Sequence, residues 1–297
     1  MPVAVVTDST ACLPPELVEA HRITVVPLTV VLNGAEGLEG VETFPADAVR
    51  ALSARRVSVS TSRPSPDQFA RVYRDLLDAG ADAVVSLHLS AGLSGTVEAA
   101  RLAAAEVDPD RVVVADCRST GMGLGFPVLA AAVAAERGAD PTGVRRAALD
   151  TVQRTTSFFY VDTLEFLRRG GRINAAEALL GTALSVKPIM HLVDGTIAVR
   201  DKVRTGSRGV TRLVELVAEA AGDDDVDVAV QHLAAAHRAE VLLDALRVRL
   251  GDRVRHAYLG EAGAVLAAHA GPGMVGVAVL RLAAPTDEAA ELPVPEP

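Results

Sequence analysis

The 297-residue chain has no tryptophan and only 3% aromatic residues, so it offers few rings for stacking on bases. Lysine is nearly absent: of 29 basic residues only Lys187 and Lys202 are lysines, and the rest are arginine. Against these stand 38 acidic residues, for a net charge of −9. An acidic chain with few rings predicts no nucleic-acid partner. Cysteine is scarce too. Cys12 and Cys117 form neither a C-x-x-C pair nor a disulfide framework. The histidines follow no ligand spacing, so no metal is expected. No uninterrupted apolar run reaches the roughly 18 residues of a membrane span, and the candidate Val128–Ala135 soon ends at a charge. The opening MPVAVVTDST carries no basic or apolar leader, so the expected location is cytoplasmic, with at most transient membrane contact.

What is present is 49% hydrophobic residues, mainly small and aliphatic, enough for a sizeable core. Aliphatic runs at Pro2–Val6, Ile23–Leu32, Ala83–Leu87 and Val112–Ala115 read as buried strands. Helical stretches lie at 67–79, 96–107, 125–137 and 144–154, and Pro14–Pro15 opens a short helix near the start. This alternation predicts a mainly parallel sheet flanked by helices. Asn33–Gly34 is a turn signal, and the polar segment 34–43 is expected to project as a hairpin. After Arg154 the rhythm changes. Asp194–Gly195 between two apolar runs predicts an antiparallel hairpin, and later strands and helices point to a mixed sheet. The expectation is an α/β chain of two α/β domains, 1–154 and 155–284. A flexible, acidic, Pro-rich tail is expected at 285–297.

Several stretches could carry chemistry. Ser65, Pro66 and Gln68 form a helix start with an N-cap, a first-turn proline and a capping-box partner. That leaves Thr61 and Ser62 as hydroxyls beside a helix N-terminus, which favours an anion. Leu93-Ser94-Gly95-Thr96 lies between a buried strand and a helix and suggests a cradle of hydroxyls and backbone N–H groups for a carboxylate. Neither a nucleophile elbow nor a P-loop is present there. Gly121–Phe126 is a weak dinucleotide signal because position 126 is Phe126. Arg168-Arg169-Gly170-Gly171-Arg172 could be a solvated loop or could present an arginine to an acid group. His269 before Gly271-Pro272-Gly273 reads either as a helix-terminal residue or as part of a site.

The ordered set Thr7-Asp8-Ser9-Thr10, Thr61-Ser62-Arg63-Pro64-Ser65, Leu93-Ser94-Gly95-Thr96, Arg169-Gly170-Gly171-Arg172-Ile173, Val186-Lys187-Pro188-Ile189 and His269-Ala270-Gly271-Pro272-Gly273 resembles the DegV family of fatty-acid-binding proteins. The resemblance implies a long-chain fatty acid such as palmitate, stearate or oleate, held between two α/β domains. It also implies that Thr61, Ser94, Arg172 and His269 hold the carboxylate, with Ser62 and Gly95 beside them. It further implies no catalytic residue and no cofactor. The implied partner is a separate dihydroxyacetone-kinase-like fatty-acid kinase that phosphorylates the acid for phospholipid synthesis. Burying about 14 methylenes at ~0.8 kcal/mol each gives a gross driving force on the order of 11 kcal/mol, before the cost of association. Two alternatives stand beside this reading: an acyl hydrolase using Ser94 and His269, and a binder of a small phosphorylated metabolite. Lys187, Lys202 and Arg204, on or near the predicted hairpin, are either a kinase-facing surface or a solvated face.

Overall fold

The computed structural model describes residues 2–54, 58–173 and 186–282. The strands are β1 (Val3–Asp8), β2 (Thr24–Val26), β3 (Thr29–Leu32), β4 (Ala35–Leu38), β5 (Val59–Ser62), β6 (Ala83–His88), β7 (Val112–Asp116), β8 (Thr155–Tyr160), β9 (Lys187–Val193), β10 (Thr196–Val203), β11 (Val226–His232), β12 (Val254–Glu261) and β13 (Val275–Arg281). The helices are α1 (Pro15–Ala20), α2 (Pro45–Ser53), α3 (Pro66–Asp78), α4 (Thr96–Val107), α5 (Met122–Glu136), α6 (Pro141–Arg154), α7 (Glu165–Arg169), α8 (Gly206–Ala221), α9 (Ala236–Leu250) and α10 (Ala264–Ala270).

The chain divides into two compact units. The first comprises residues 2–29 and 62–153, the second residues 30–61 and 154–282. A single division after residue 154 would therefore misplace 30–61, which group with the C-terminal half. The expected tail 285–297 lies outside the described residues.

In the first unit β2, β1, β6 and β7 form a sheet in that order, every pair parallel. All six residues of β6 are buried, as a central strand covered on both faces requires. Phe69, Ala70 and Tyr73 of α3 and Ala99, Ala100 and Ala103 of α4 pack with Val6, Val84 and Val112 of the sheet. Small alanines on α4 let its backbone lie close to the strands, which suits a chain short of aromatic bulk.

In the second unit six strands run in the order β10-β9-β8-β13-β11-β12. The pairs are antiparallel except β11 with β12, so the sheet is mixed. Leu213, Leu216 and Val217 of α8 and Leu242, Leu243 and Leu246 of α9 cover one face, over Phe158, Val228 and Val277. A smaller sheet in the order β4-β3-β5 completes this unit.

Asp194 and Gly195 turn the β9–β10 hairpin with φ of +49° and +77°, as their types demand. Asn33 and Gly34 do the same between β3 and β4, at +52° and +84°. The run 23–32, by contrast, is two strands in different sheets. Pro27 cannot donate to a ladder, and the next amide, that of Leu28, bonds to Ser9 Oγ instead. Among the described residues no helix is long and apolar enough to cross a membrane.

Candidate functional site

Three of the expected ligand residues meet in the second unit. Thr61 sits on β5, His269 in the last turn of α10, and Arg172 in the loop after α7. His269 Nε2 lies 2.8 Å from Thr61 Oγ1. Burial, with the Arg172 charge added, holds the imidazole pKa down at about 4, so the ring is neutral near pH 7. Its Nδ1 is buried with no hydrogen-bond partner among the described residues. Arg172 donates to the Gly170 carbonyl, which keeps its guanidinium at the same corner.

Two glycines explain why the motifs occur together. A Cβ at Gly170 would lie 2.4 Å from His269 Nδ1, so only glycine lets the ring pack there. Gly271 has φ of +76°, and a Cβ on it would come within 2.1 Å of the Phe166 ring. The R-G-G-R turn and the H-x-G-P-G turn are thus fitted to each other, as α7 packs against α10.

Sequence reasoning missed what fixes α10. Glu39, 6% exposed, accepts from the Val265 amide at 2.7 Å in the first turn of that helix. The segment 34–43 therefore does not simply project as a polar hairpin: it supplies a buried capping carboxylate. Asp162 was missed as well. It accepts from Tyr160 Oη at 2.7 Å and Lys187 Nζ at 2.5 Å, and it pairs with Arg238 at 3.5 Å. Arg238 in turn donates to the Gly273 carbonyl at 2.6 Å. Burial pushes the Asp162 carboxyl up, but the bonds from Lys187 and Tyr160 and the Arg238 charge outweigh it and hold the group below its ordinary value. Lys187 is accordingly an internal tie to the H-x-G-P-G turn rather than a bare cation on a hairpin face. No motif spacing announces such a pairing.

Ser62, Ser94 and Gly95 belong to the first unit. Ser62 Oγ donates to the Arg63 carbonyl at 3.3 Å. Just beyond it, Ser65 and Gln68 form the expected reciprocal cap of α3, at 3.2 Å and 2.7 Å. Ser94 closes the turn 89–94, whose amides are all engaged within the unit. Leu89 donates to Asp8, Ser90 to the Ser119 carbonyl and Ala91 to Asp116. Gly92 donates to Ser90 Oγ, and Leu93 and Ser94 donate to the Ser90 carbonyl. The expected cradle of backbone N–H groups is therefore not offered by this turn. What the turn adds is the partly buried hydroxyl pair Ser94 Oγ and Thr96 Oγ1, 2.9 Å apart, together with the first-turn amides that helix geometry leaves without an intrahelical acceptor. Gly95 is the N-cap of α4, and the Arg63 guanidinium packs over its Cα. Ser94 and His269 each have their hydroxyl or ring partner within their own unit, Thr96 and Thr61 respectively.

Among the described residues no three His, Cys, Asp or Glu side chains gather to hold a metal ion. The sequence pattern described as "Uncharacterised protein, DegV family" matches residues 2–282.

The chain belongs to the DegV family.

A DegV domain-containing protein of Streptomyces coelicolor is 50% identical over 277 residues, covering 93% of this chain and 98% of that protein. A solved structure described as fatty acid binding of a DegV family protein from Thermus thermophilus is 35% identical with a TM-score of 0.89. It is matched over 95% of this chain and 100% of its own. A DegV from Bacillus subtilis, described as a fatty acid binding protein, is 31% identical with a TM-score of 0.85, over 95% and 100% of the two chains. The α/β architecture of the DegV fold is thus shared by this chain.

Proposed function

We propose that this DegV protein binds one long-chain fatty acid, of the palmitate, stearate or oleate class, and carries it without transforming it. The carboxylate is taken by Thr61, Arg172 and His269 and, from the first unit, by Ser94 with Ser62 and Gly95. The observation that carries this reading is the neutral, partly buried His269, bonded to Thr61, beside the Arg172 charge, with its buried Nδ1 without a partner among the described residues. A buried polar atom without a partner costs free energy, and a ligand that supplies one regains it. The fatty-acid descriptions of the Thermus and Bacillus neighbours support the same ligand class. An acyl chain supplies affinity through burial, and a carboxylate moved out of water needs hydroxyl and guanidinium donors to meet it.

The family resemblance extends the reading to a partner, a dihydroxyacetone-kinase-like enzyme that phosphorylates the carried carboxylate for phospholipid synthesis in the cytoplasm. Native mass spectrometry of the mildly purified protein tests the core of the proposal. A mass excess matching a long-chain fatty acid is expected, with weaker retention after Ser94→Ala. A clean apo mass that takes up neither oleate nor palmitate would overturn it.

A further inference from the structure

A buried relay in the first unit leads from α3 to the turn that carries Ser94. Tyr73 Oη donates to Ser86 Oγ at 2.8 Å, and Ser86 Oγ lies 2.7 Å from His88 Nε2. His88 Nδ1 is 3.0 Å from Asp8 Oδ2, which also accepts from the Leu89 amide at 3.0 Å. The other Asp8 oxygen accepts from the amide of Thr10 at 3.1 Å and from its hydroxyl at 2.5 Å. Asp8, Ser86 and His88 are all 0% exposed. One assignment of protons serves every member: Tyr73 donates to Ser86, Ser86 to His88 Nε2, and His88 Nδ1–H to Asp8.

The constellation has the order Ser–His–Asp, but it is sealed from solvent and every hydrogen is committed, so it is built to hold rather than to react. What it holds is specific. Asp8 ties the end of β1 to Leu89, the first residue after β6. The next residue, Ser90, organises the rest of the turn: its carbonyl accepts from Leu93 and Ser94, and its hydroxyl from Gly92. Fixing Leu89 and Ser90 therefore fixes Ser94.

We propose that Asp8, braced by His88, is the positioning residue that sets the Ser94 hydroxyl for the carboxylate; this rests on the fatty-acid reading of the site. It assigns a role to the Thr7-Asp8-Ser9-Thr10 motif and to His88, neither of which is a ligand residue in that reading. The same proximity logic applies to binding as to catalysis: a hydroxyl held in place loses less freedom when its partner arrives.

The test measures two things on Asp8→Asn, Ser94→Ala and the double variant. Amide hydrogen exchange in residues 89–94 of the ligand-free protein is expected to quicken at least about tenfold in Asp8→Asn, beyond any change in α4 or β7. Oleate affinity is expected to fall about tenfold, with Ser94→Ala adding little on the Asp8→Asn background. Unchanged turn exchange, or affinity losses that multiply in the double variant, would overturn the proposal. If wild-type protein takes up no oleate, the fatty-acid reading falls, and the exchange measurement still decides whether Asp8 positions the turn. Should Asp8→Asn fail to fold, His88→Leu is expected to loosen the same amides. His88→Asn, whose amide N–H can replace Nδ1–H, is expected to restore them; equal loosening by both would overturn the role.

Discussion

Each unit carries a histidine in a hydrogen-bonded cluster, fully buried in the first and partly buried in the second, and the two are finished differently. In the first, His88 has both ring nitrogens engaged, by Ser86 and Asp8, and the carboxylate it meets accepts from Thr10 and Leu89 as well. In the second, His269 has Thr61 on one nitrogen and, among the described residues, nothing on the other. A complete network spends its hydrogen bonds on the fold, whereas an incomplete one keeps a polar atom for something else. In the proposed function the same residue type thus serves as a brace in one unit and as a binding group in the other.

The sharpest way to break that contrast is to remove each ring. His88→Leu strands the fully buried Asp8 and Ser86 and is expected to cost about 3 kcal/mol in urea unfolding. His269→Leu at pH 7 is expected to stay within about 1 kcal/mol of wild type, because a neutral ring with one bond loses little when an apolar side chain replaces it. Equal costs for the two would erase the distinction.

Acid separates the clusters next. The His269 pKa is lowered from 6.5 to about 4 in the folded protein, so the unfolded chain takes up its proton first as pH falls. The stability this group allows is complete above pH 6.5 and is lost on the way down to pH 4. Between pH 7 and pH 5 the expected loss from this group is about 2 kcal/mol, and a His269→Gln variant should lack it in parallel urea titrations. A wild-type profile that matches the variant over that range would contradict the partly buried, neutral ring.

The smallest effect concerns the tie beside the H-x-G-P-G turn. Lys187 and Asp162 are about one-third exposed, so solvent screens their pairing. Lys187→Met is expected to cost about 1 kcal/mol by thermal unfolding while leaving the far end of the β9–β10 hairpin unaffected. A silent substitution would return Lys187 to the solvated face that hairpin composition suggests.

Much of the fold was legible because it depends on neighbours in the chain. The apolar spacing of 96–107 marks α4 residue for residue, and Ser65, Pro66 and Gln68 carry the chemistry of a helix start. Asp194–Gly195 likewise determines its own turn. The reading failed where a partner lies far along the chain. Ile23–Leu32 looks continuous, yet its two halves join different sheets on either side of Pro27. Glu39 reads as a polar loop residue, yet it caps a helix more than two hundred residues away. Asp8 lies in a motif and His88 in a strand, yet nothing in the sequence joins them, and their link spans 80 positions.

By itself, then, the sequence determined the α/β alternation, the turns, the helix starts and the ordered motifs that mark a DegV protein, since all of these follow from local sterics and periodicity. Only the tertiary structure decided which polar groups are satisfied. It committed the Leu89–Ser94 amides and Lys187 to internal partners and left His269 Nδ1 without one among the described residues. The reason is physical: a hydrogen bond between distant residues is set by how the chain packs, and packing alone determines where water is excluded and a missing partner becomes costly.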